Sequence, residues 1–164
     1  MLGFFCGIRP DGELQKLQWS DIHLSGPERT VVIRSEVSKT RRHRFVDLSE
    51  NAVAWLEVYR QRGGPLSGKI VTCGRSELRT RRTANWCPAG ITRWIHQGMR
   101  HKFCSNWLAV HKDVNKLVLL SGHDSVDTMW RHYHRGTPEN VALDFWKILP
   151  AQTSQKIVPF ARIS

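Results

Sequence analysis

Two short segments of this chain carry the β-branched, alternating character of strands. They are Thr30-Val31-Val32-Ile33 and Phe45-Val46-Asp47-Leu48, and between them lies the cationic run Ser38-Lys39-Thr40-Arg41-Arg42-His43-Arg44. This pairing predicts a hairpin with a nearly all-positive tip. Most of the remaining chain has helical period or turn chemistry. The expected fold class is therefore α+β, mostly α-helical with one small antiparallel sheet.

The helical segments are bounded by their own start and stop signals. Pro10 can open a helix over Asp11 to Gln18 that places Leu14 and Leu17 on one side and is closed by Trp19-Ser20-Asp21. Gly26-Pro27 is a turn. Ser49 stands at an N-cap ahead of a helix carrying Val53, Leu56 and Tyr59, which Gly63-Gly64-Pro65 ends. A basic helix is expected over 75–86, followed by a loop through Pro88 and Gly90. Further helices are expected near 99–110, 113–120, 125–134 and 138–148, with Gly122 stopping the second of them and Thr137-Pro138-Glu139 starting the last.

With 164 residues the chain makes one domain by the usual rule of roughly 100–200 residues each. Lys and Arg number 25 against 14 Asp and Glu, a formal charge of +11, which points to an anionic partner, nucleic acid first. A solvated basic surface without a partner is the plainer alternative. No apolar stretch is long enough to span a membrane, and MLGFFCGIRP is too short an apolar run for a secretory leader. Cys6, Cys73, Cys87 and Cys104 form no Cys-x-x-Cys pair, so no zinc ribbon or redox motif is expected. A mixed site from Cys87, His96, His101 and Cys104 ranks well below ordinary packing. Free thiols in a reducing cytoplasm, with no metal, are the expectation.

Several side chains stand out by context: Arg9 in the turn Gly7-Ile8-Arg9-Pro10, Lys39 on the basic hairpin, Arg100-His101 opening a helix, His123 after Gly122, and Tyr133. Each has a bland reading taken singly. Arg9 can be a surface cation, Lys39 one phosphate contact among many, and His101 a packing histidine. Tyr133 has the strongest one, because Val126, Met129, Trp130 and Tyr133 follow the i, i+3, i+4, i+7 spacing of an apolar stripe.

In their order along the chain these residues resemble the tyrosine recombinase, or phage integrase, family. Gly7-Ile8-Arg9, Glu13-Leu14 and Leu17-Gln18-Trp19-Ser20-Asp21 resemble its first arginine box. Val37-Ser38-Lys39-Thr40-Arg41-Arg42 with Val46-Asp47-Leu48 resembles its β-hairpin lysine and returning strand. Met99-Arg100-His101-Lys102-Phe103 is similar to its second arginine box, Leu120-Ser121-Gly122-His123-Asp124-Ser125 to its Leu-Gly-His-Ser box, and Arg131-His132-Tyr133 to its nucleophile. Ala142 through Pro150 resembles the closing helix of bacterial members. One such box is weak; four in register over most of the chain are specific.

The resemblance implies the tyrosine recombinase catalytic-domain fold over 1–150, with 151–164 as a C-terminal tail. It also implies that the family's first helix and N-terminal DNA-clamp domain are absent from this chain, which starts eight residues before Arg9. The implied activity is site-specific DNA recombination: cleavage and rejoining through a 3′-phosphotyrosine on Tyr133, without cofactor, small-molecule substrate or membrane. Arg9 and Arg100 would clamp the phosphate oxygens, Lys39 would protonate the leaving oxygen, and His123 would bond the same phosphate. Gln97, Glu13 and His101 are possible accessory residues. Lys39, Arg41, Arg42, Arg44 and Lys102 are expected to touch DNA. The partner would be double-stranded DNA bound by a homo-tetramer.

Three positions depart from the family pattern. Gln97 stands where the second box usually has histidine, with His96 one residue out of register. Ten residues separate His123 from Tyr133 where nine are usual, and Glu13 rather than Gly12 takes the acidic position. A glutamine can bond a phosphate but is a poor proton carrier, which leaves the general base open. The alternatives are a catalytically impaired DNA-binding module, type IB topoisomerase-like relaxation, and a generic basic scaffold.

Overall fold

The computed structural model describes residues 1–88, 90–93, 95–133 and 136–151. The expected tail therefore lies outside the described residues beyond Ala151. Among the described residues, the sheet is a three-stranded antiparallel meander. β1 (Ile22–His23) adds to the edge of β2 (Thr30–Ile33), which pairs with β3 (Arg44–Asp47) from Thr30↔Asp47 to Ile33↔Arg44. Alternation sends Val31, Ile33 and Val46 into the core, and by the same rule it sends Arg44 inward.

The helices are α1 (Leu2–Phe5), α2 (Glu13–Lys16), α3 (Glu50–Gln61), α4 (Arg75–Trp86), α5 (Gly98–His111), α6 (Val114–Ser121), α7 (Val126–Tyr133) and α8 (Glu139–Trp146). The helix expected over 11–18 is shortened to the single turn α2. Leu17 is already extended there, and its carbonyl accepts from Ile70 N at 3.1 Å. Trp19 N in turn donates to Gly68 O at 2.9 Å. Backbone groups given to the 68–70 segment cannot also continue a helix. Trp19–Asp21 then forms a separate 3₁₀ turn, in which Gln18 N donates to Asp21 Oδ2 at 2.9 Å. Ser49 does precede α3, but its hydroxyl bonds Asn51 Oδ1 rather than the helix backbone.

Two apolar clusters hold the molecule together. The first joins α1, the sheet and α3 through Leu2, Phe5, Ile8, Leu17, Val31, Ile33, Val46 and Leu56. The second joins α5, α6 and α7 through Phe103, Cys104, Trp107, Leu117, Met129 and Tyr133. α8 packs along α5 and ties the clusters: Phe145 sits in the first, and Trp146 touches both. Phe4, Phe5 and Phe145 stack with ring centroids 4.9–5.4 Å apart, so the opening residues of the chain are part of this core. α4 has no buried residue among those described, and its Arg75, Arg79 and Arg81 are exposed. No helix among the described residues is long and apolar enough to cross a membrane.

Candidate active site

The site is organised around the C-terminus of α6, where the last carbonyls of a helix have no partners within it and carry partial negative charge. Gly122 ends α6 in the left-handed region at φ 65. Three guanidinium groups from three parts of the sequence converge on three successive carbonyls. Arg44 Nε donates to Leu120 O at 3.0 Å, Arg100 Nη2 to Ser121 O at 2.6 Å, and Arg9 Nη2 to Gly122 O at 2.9 Å. A Cβ at residue 122 would sit about 3 Å from the Arg44 guanidinium, so the close approach needs glycine on steric grounds as well as conformational ones.

Arg9 reaches this point through an equally tight turn. Gly7 takes φ 64, and a Cβ there would come within 2.4 Å of the Phe103 ring. The Gly7 carbonyl accepts from Arg100 Nη1 at 2.5 Å, which couples the two arginines through the backbone. Glu13 couples Arg9 to Arg44. Its Oε1 accepts from Arg9 Nη1 at 3.0 Å, and its Oε2 accepts from Arg44 Nη2 at 2.8 Å and from Arg9 N at 3.1 Å. Glu13 and Arg100 are only 1% and 2% exposed.

The expectation that Arg44 faces DNA is corrected here. Its side chain is 8% exposed, and its charge is committed to Glu13 and to the end of α6. Strand alternation is the cause, since residue 44 lies on the same face of β3 as Val46.

Burial is the largest influence on the Glu13 carboxyl and works against its charge. The hydrogen bond and charge of Arg44, together with those of Arg9, outweigh it and hold the group below the ordinary carboxylate range. A carboxylate depressed in the folded state contributes stability that is complete above its unfolded value and is lost as pH falls through the folded one. We expect the stability gap between wild type and Glu13→Gln, read by thermal unfolding, to be largest near neutrality. It should close as pH falls below about 4.3, the ordinary glutamate value. A gap independent of pH would contradict the charge pairing.

His123 follows Gly122 directly. Its Nδ1 lies 2.6 Å from Ser121 Oγ, and Arg100 Nη2 is 3.4 Å from the ring. Tyr133 comes from the last described turn of α7 and is 4% exposed. Its hydroxyl lies 2.8 Å from His101 Nδ1, and its ring centroid is 6.3 Å from that of His123. Burial pushes the phenol well above its ordinary pKa, while the charges of Arg100 and Arg9 pull it back. Burial likewise lowers Arg100 to about 10 and raises the Cys104 thiol beside it.

Arg9, Glu13, Arg100, His101, His123 and Tyr133 are thus brought to one place. Apart from Arg44, the hairpin cations named above are not drawn into this network. Lys39, Arg41 and Arg42 are exposed on the segment between β2 and β3, and Lys102 is exposed on α5. Gln97 caps α5 in the left-handed region at φ 53, with Nε2 3.3 Å from His96 Nε2. The sequence reading gave Ser121 and Cys104 no individual role at this site, where Ser121 bonds His123 and Cys104 bonds Tyr133. For Cys104 helical spacing was a usable signal, because it lies one turn beyond Arg100. No group of three metal-binding side chains occurs among the described residues.

Chemically, the arrangement offers a guanidinium pair and an imidazole beside a phenol, on a basic molecule. Such a set can stabilise charge developing on a phosphoryl group.

Comparison with known proteins follows the same lines. The sequence model described as "Phage integrase family" matches residues 1–140. Tyrosine recombinase XerD of Proteus mirabilis is 32% identical over 149 residues, covering 82% of this chain and 45% of the relative. Among solved structures, XerA recombinase is 25% identical with a TM-score of 0.65, covering 87% of this chain and 53% of that one. XerH site-specific recombinase bound to difH substrate, in a pre-cleavage complex, is 19% identical with a TM-score of 0.56, covering 81% of this chain and 41% of that one. The chain spans about half the length of these relatives.

Proposed function

The chain belongs to the phage integrase family, and on that premise we propose that it cuts and rejoins duplex DNA through a 3′-phosphotyrosine on Tyr133. The observation that carries this reading is the convergence of Arg9 and Arg100 on adjacent carbonyls beside His123 and Tyr133.

The phenol oxygen of Tyr133 attacks a backbone phosphorus. The Oη–P bond forms, the P–O5′ bond breaks, and the phosphodiester energy is kept in the protein–DNA bond. Arg9 and Arg100 face the charge that builds on the non-bridging oxygens, and their guanidinium forks match that geometry. Glu13 and the end of α6 hold those forks in place before DNA arrives, which removes reorganisation from the reaction step. His123 adds a bond to the same phosphate. Lys39, on its exposed segment, delivers a proton to the departing 5′ oxygen. The cations at the phosphate are side chains, so the reading calls for no metal or nucleotide.

Lys39, Arg41, Arg42 and Lys102 supply phosphate contacts, which position the duplex without reading its sequence. Residues 1–150 act as the catalytic domain, and four copies assemble on DNA in the cytoplasm. The burial of the Tyr133 hydroxyl favours one second reading, a DNA-binding module that does not cleave.

The deciding experiment incubates the full chain with a pool of nicked duplexes randomised around the nick. Denaturing gels then reveal any adduct, and mass spectrometry locates it. A phosphotyrosine at residue 133 is the expected product; duplex binding with no adduct selects the binding module. Lys39→Ala is expected to slow adduct formation by about 10²–10⁴-fold, the usual worth of a positioned proton donor. A bridging sulfur at the 5′ position, which leaves without a proton, should restore the rate. An unrescued defect would place Lys39 elsewhere in the mechanism.

A further inference from the structure

On the phosphotyrosine reading, we propose that His101 is a catalytic residue: its Nδ1 takes the proton of the Tyr133 hydroxyl as the Oη–phosphorus bond forms. The contact is direct, at 2.8 Å, with ring centroids 5.7 Å apart. That is hydrogen-bond reach, the first requirement for a general base. With the imidazole hydrogen on Nε2, Nδ1 has the lone pair the phenol proton needs.

Among the described residues, the other candidate groups are poorly suited to the task. Gln97 is an amide without useful basicity. Its side chain contacts His96, and its backbone is turned into the left-handed region at the start of α5. Cys104 is buried beside the tyrosine, and burial raises its thiol, which keeps it protonated. Arg100 has no lone pair to offer. His123 engages Ser121 through Nδ1 and lies against Arg100. His101 follows Arg100 on α5, so one helix presents both an oxyanion clamp and a proton acceptor to α7.

The step balances. The phenol proton moves to Nδ1, the Oη–P bond forms, the P–O5′ bond breaks, and O5′ receives a proton from the leaving-group side. In rejoining, the 5′ hydroxyl attacks the phosphotyrosine: the O5′–P bond forms, the Oη–P bond breaks, the hydroxyl proton returns to Lys39, and His101 gives its proton to the departing phenolate. His101 and Lys39 thus act on opposite ends of one displacement, which makes them separable by experiment.

Two variants test this. His101→Asn puts an amide oxygen near the Nδ1 position, keeping a hydrogen bond to Tyr133 but unable to hold a proton; His101→Gln offers a longer amide. Substrate is the duplex sequence recovered from adducts of the wild-type chain, remade with oxygen or sulfur at the bridging 5′ position. A variant with wild-type melting and duplex affinity should form adduct about 10²–10⁴-fold more slowly in single turnover. The 5′ sulfur should leave that defect in place while rescuing Lys39→Ala.

A wild-type rate in either variant overturns the proposal. So does rescue by sulfur, which would put His101 on the leaving group. Loss of melting temperature and duplex affinity in both variants, in step with rate, would make His101 a structural residue and overturn it too. Absence of any adduct from the wild-type chain is a different failure, since it removes the phosphotyrosine reading itself and the role of His101 with it.

Discussion

Tyr133→Phe should abolish covalent attachment to DNA while leaving the fold in place. The ring is packed with Phe103, Cys104, Trp107, Leu117 and Met129, and phenylalanine keeps all of that burial. What is lost includes the hydroxyl's hydrogen bonds with His101 at 2.8 Å and with the Cys104 thiol, each worth about 0.5–1.5 kcal/mol net. His101 is only half-buried, so water can replace the missing partner. Stability should thus change by no more than about 3 kcal/mol, while adduct formation falls to nothing. The other tyrosine offers no substitute nucleophile. Tyr59 lies on α3, stacked on Trp19 with centroids 5.1 Å apart, in a different part of the molecule from the α6 terminus. Denaturing gels for the adduct and thermal melts for the fold check the two halves independently. An adduct that persists in Tyr133→Phe would move the nucleophile elsewhere and remove the site described above.

The second large effect is on stability. Glu13→Ala leaves the buried Arg44 guanidinium without its carboxylate and deprives Arg9 of its orienting partner. Removing one member of a buried ion pair costs about 3–5 kcal/mol, because the other charge stays desolvated. For a chain of this size each kcal/mol lowers the melting temperature by about 2–4 °C. Since domains are stable by only about 5–15 kcal/mol in total, much of the protein's margin depends on this one acid. Pairing the change with Arg44→Met, which removes the stranded charge and keeps apolar bulk, should recover a large part of the loss. Urea unfolding of the two single variants and the double variant closes the cycle. Additive losses would show that Glu13 and Arg44 do not stabilise each other. DNA cleavage should suffer in Glu13→Ala as well, since Arg9 and Gly122 are held by the same network.

The particular residues show what was legible in advance. Gly122 after an apolar run predicted the end of α6, and Thr137-Pro138-Glu139 predicted the start of α8; both are local backbone chemistry. The hairpin was readable from two alternating segments. The inward turn of Arg44 was also present in that alternation, because residues 44, 46 and 48 share a face, but the positive run that precedes it suggested a solvent-facing cation. The helix over 11–18 misled for a tertiary reason. Its local signals were sound, yet the backbone of Leu17 and Trp19 is claimed by residues 68–70, some fifty positions away. The apolar-stripe reading of Tyr133 agrees with its burial. Burial in the second cluster is what sets its hydroxyl against His101.

The amino-acid sequence by itself determined the helical class, the small sheet, the basic character and the order of the boxes that place the chain in its family. Each of these depends on neighbouring residues or on total charge. Tertiary structure alone decided that Arg9, Arg44 and Arg100 meet at three successive carbonyls, that Glu13 binds two of them, and that His101 touches the Tyr133 hydroxyl. Those relations join residues up to 113 positions apart. They arise because the unpaired end of α6 draws all three cations and one buried carboxylate draws two of them, and packing brings these groups to the same point.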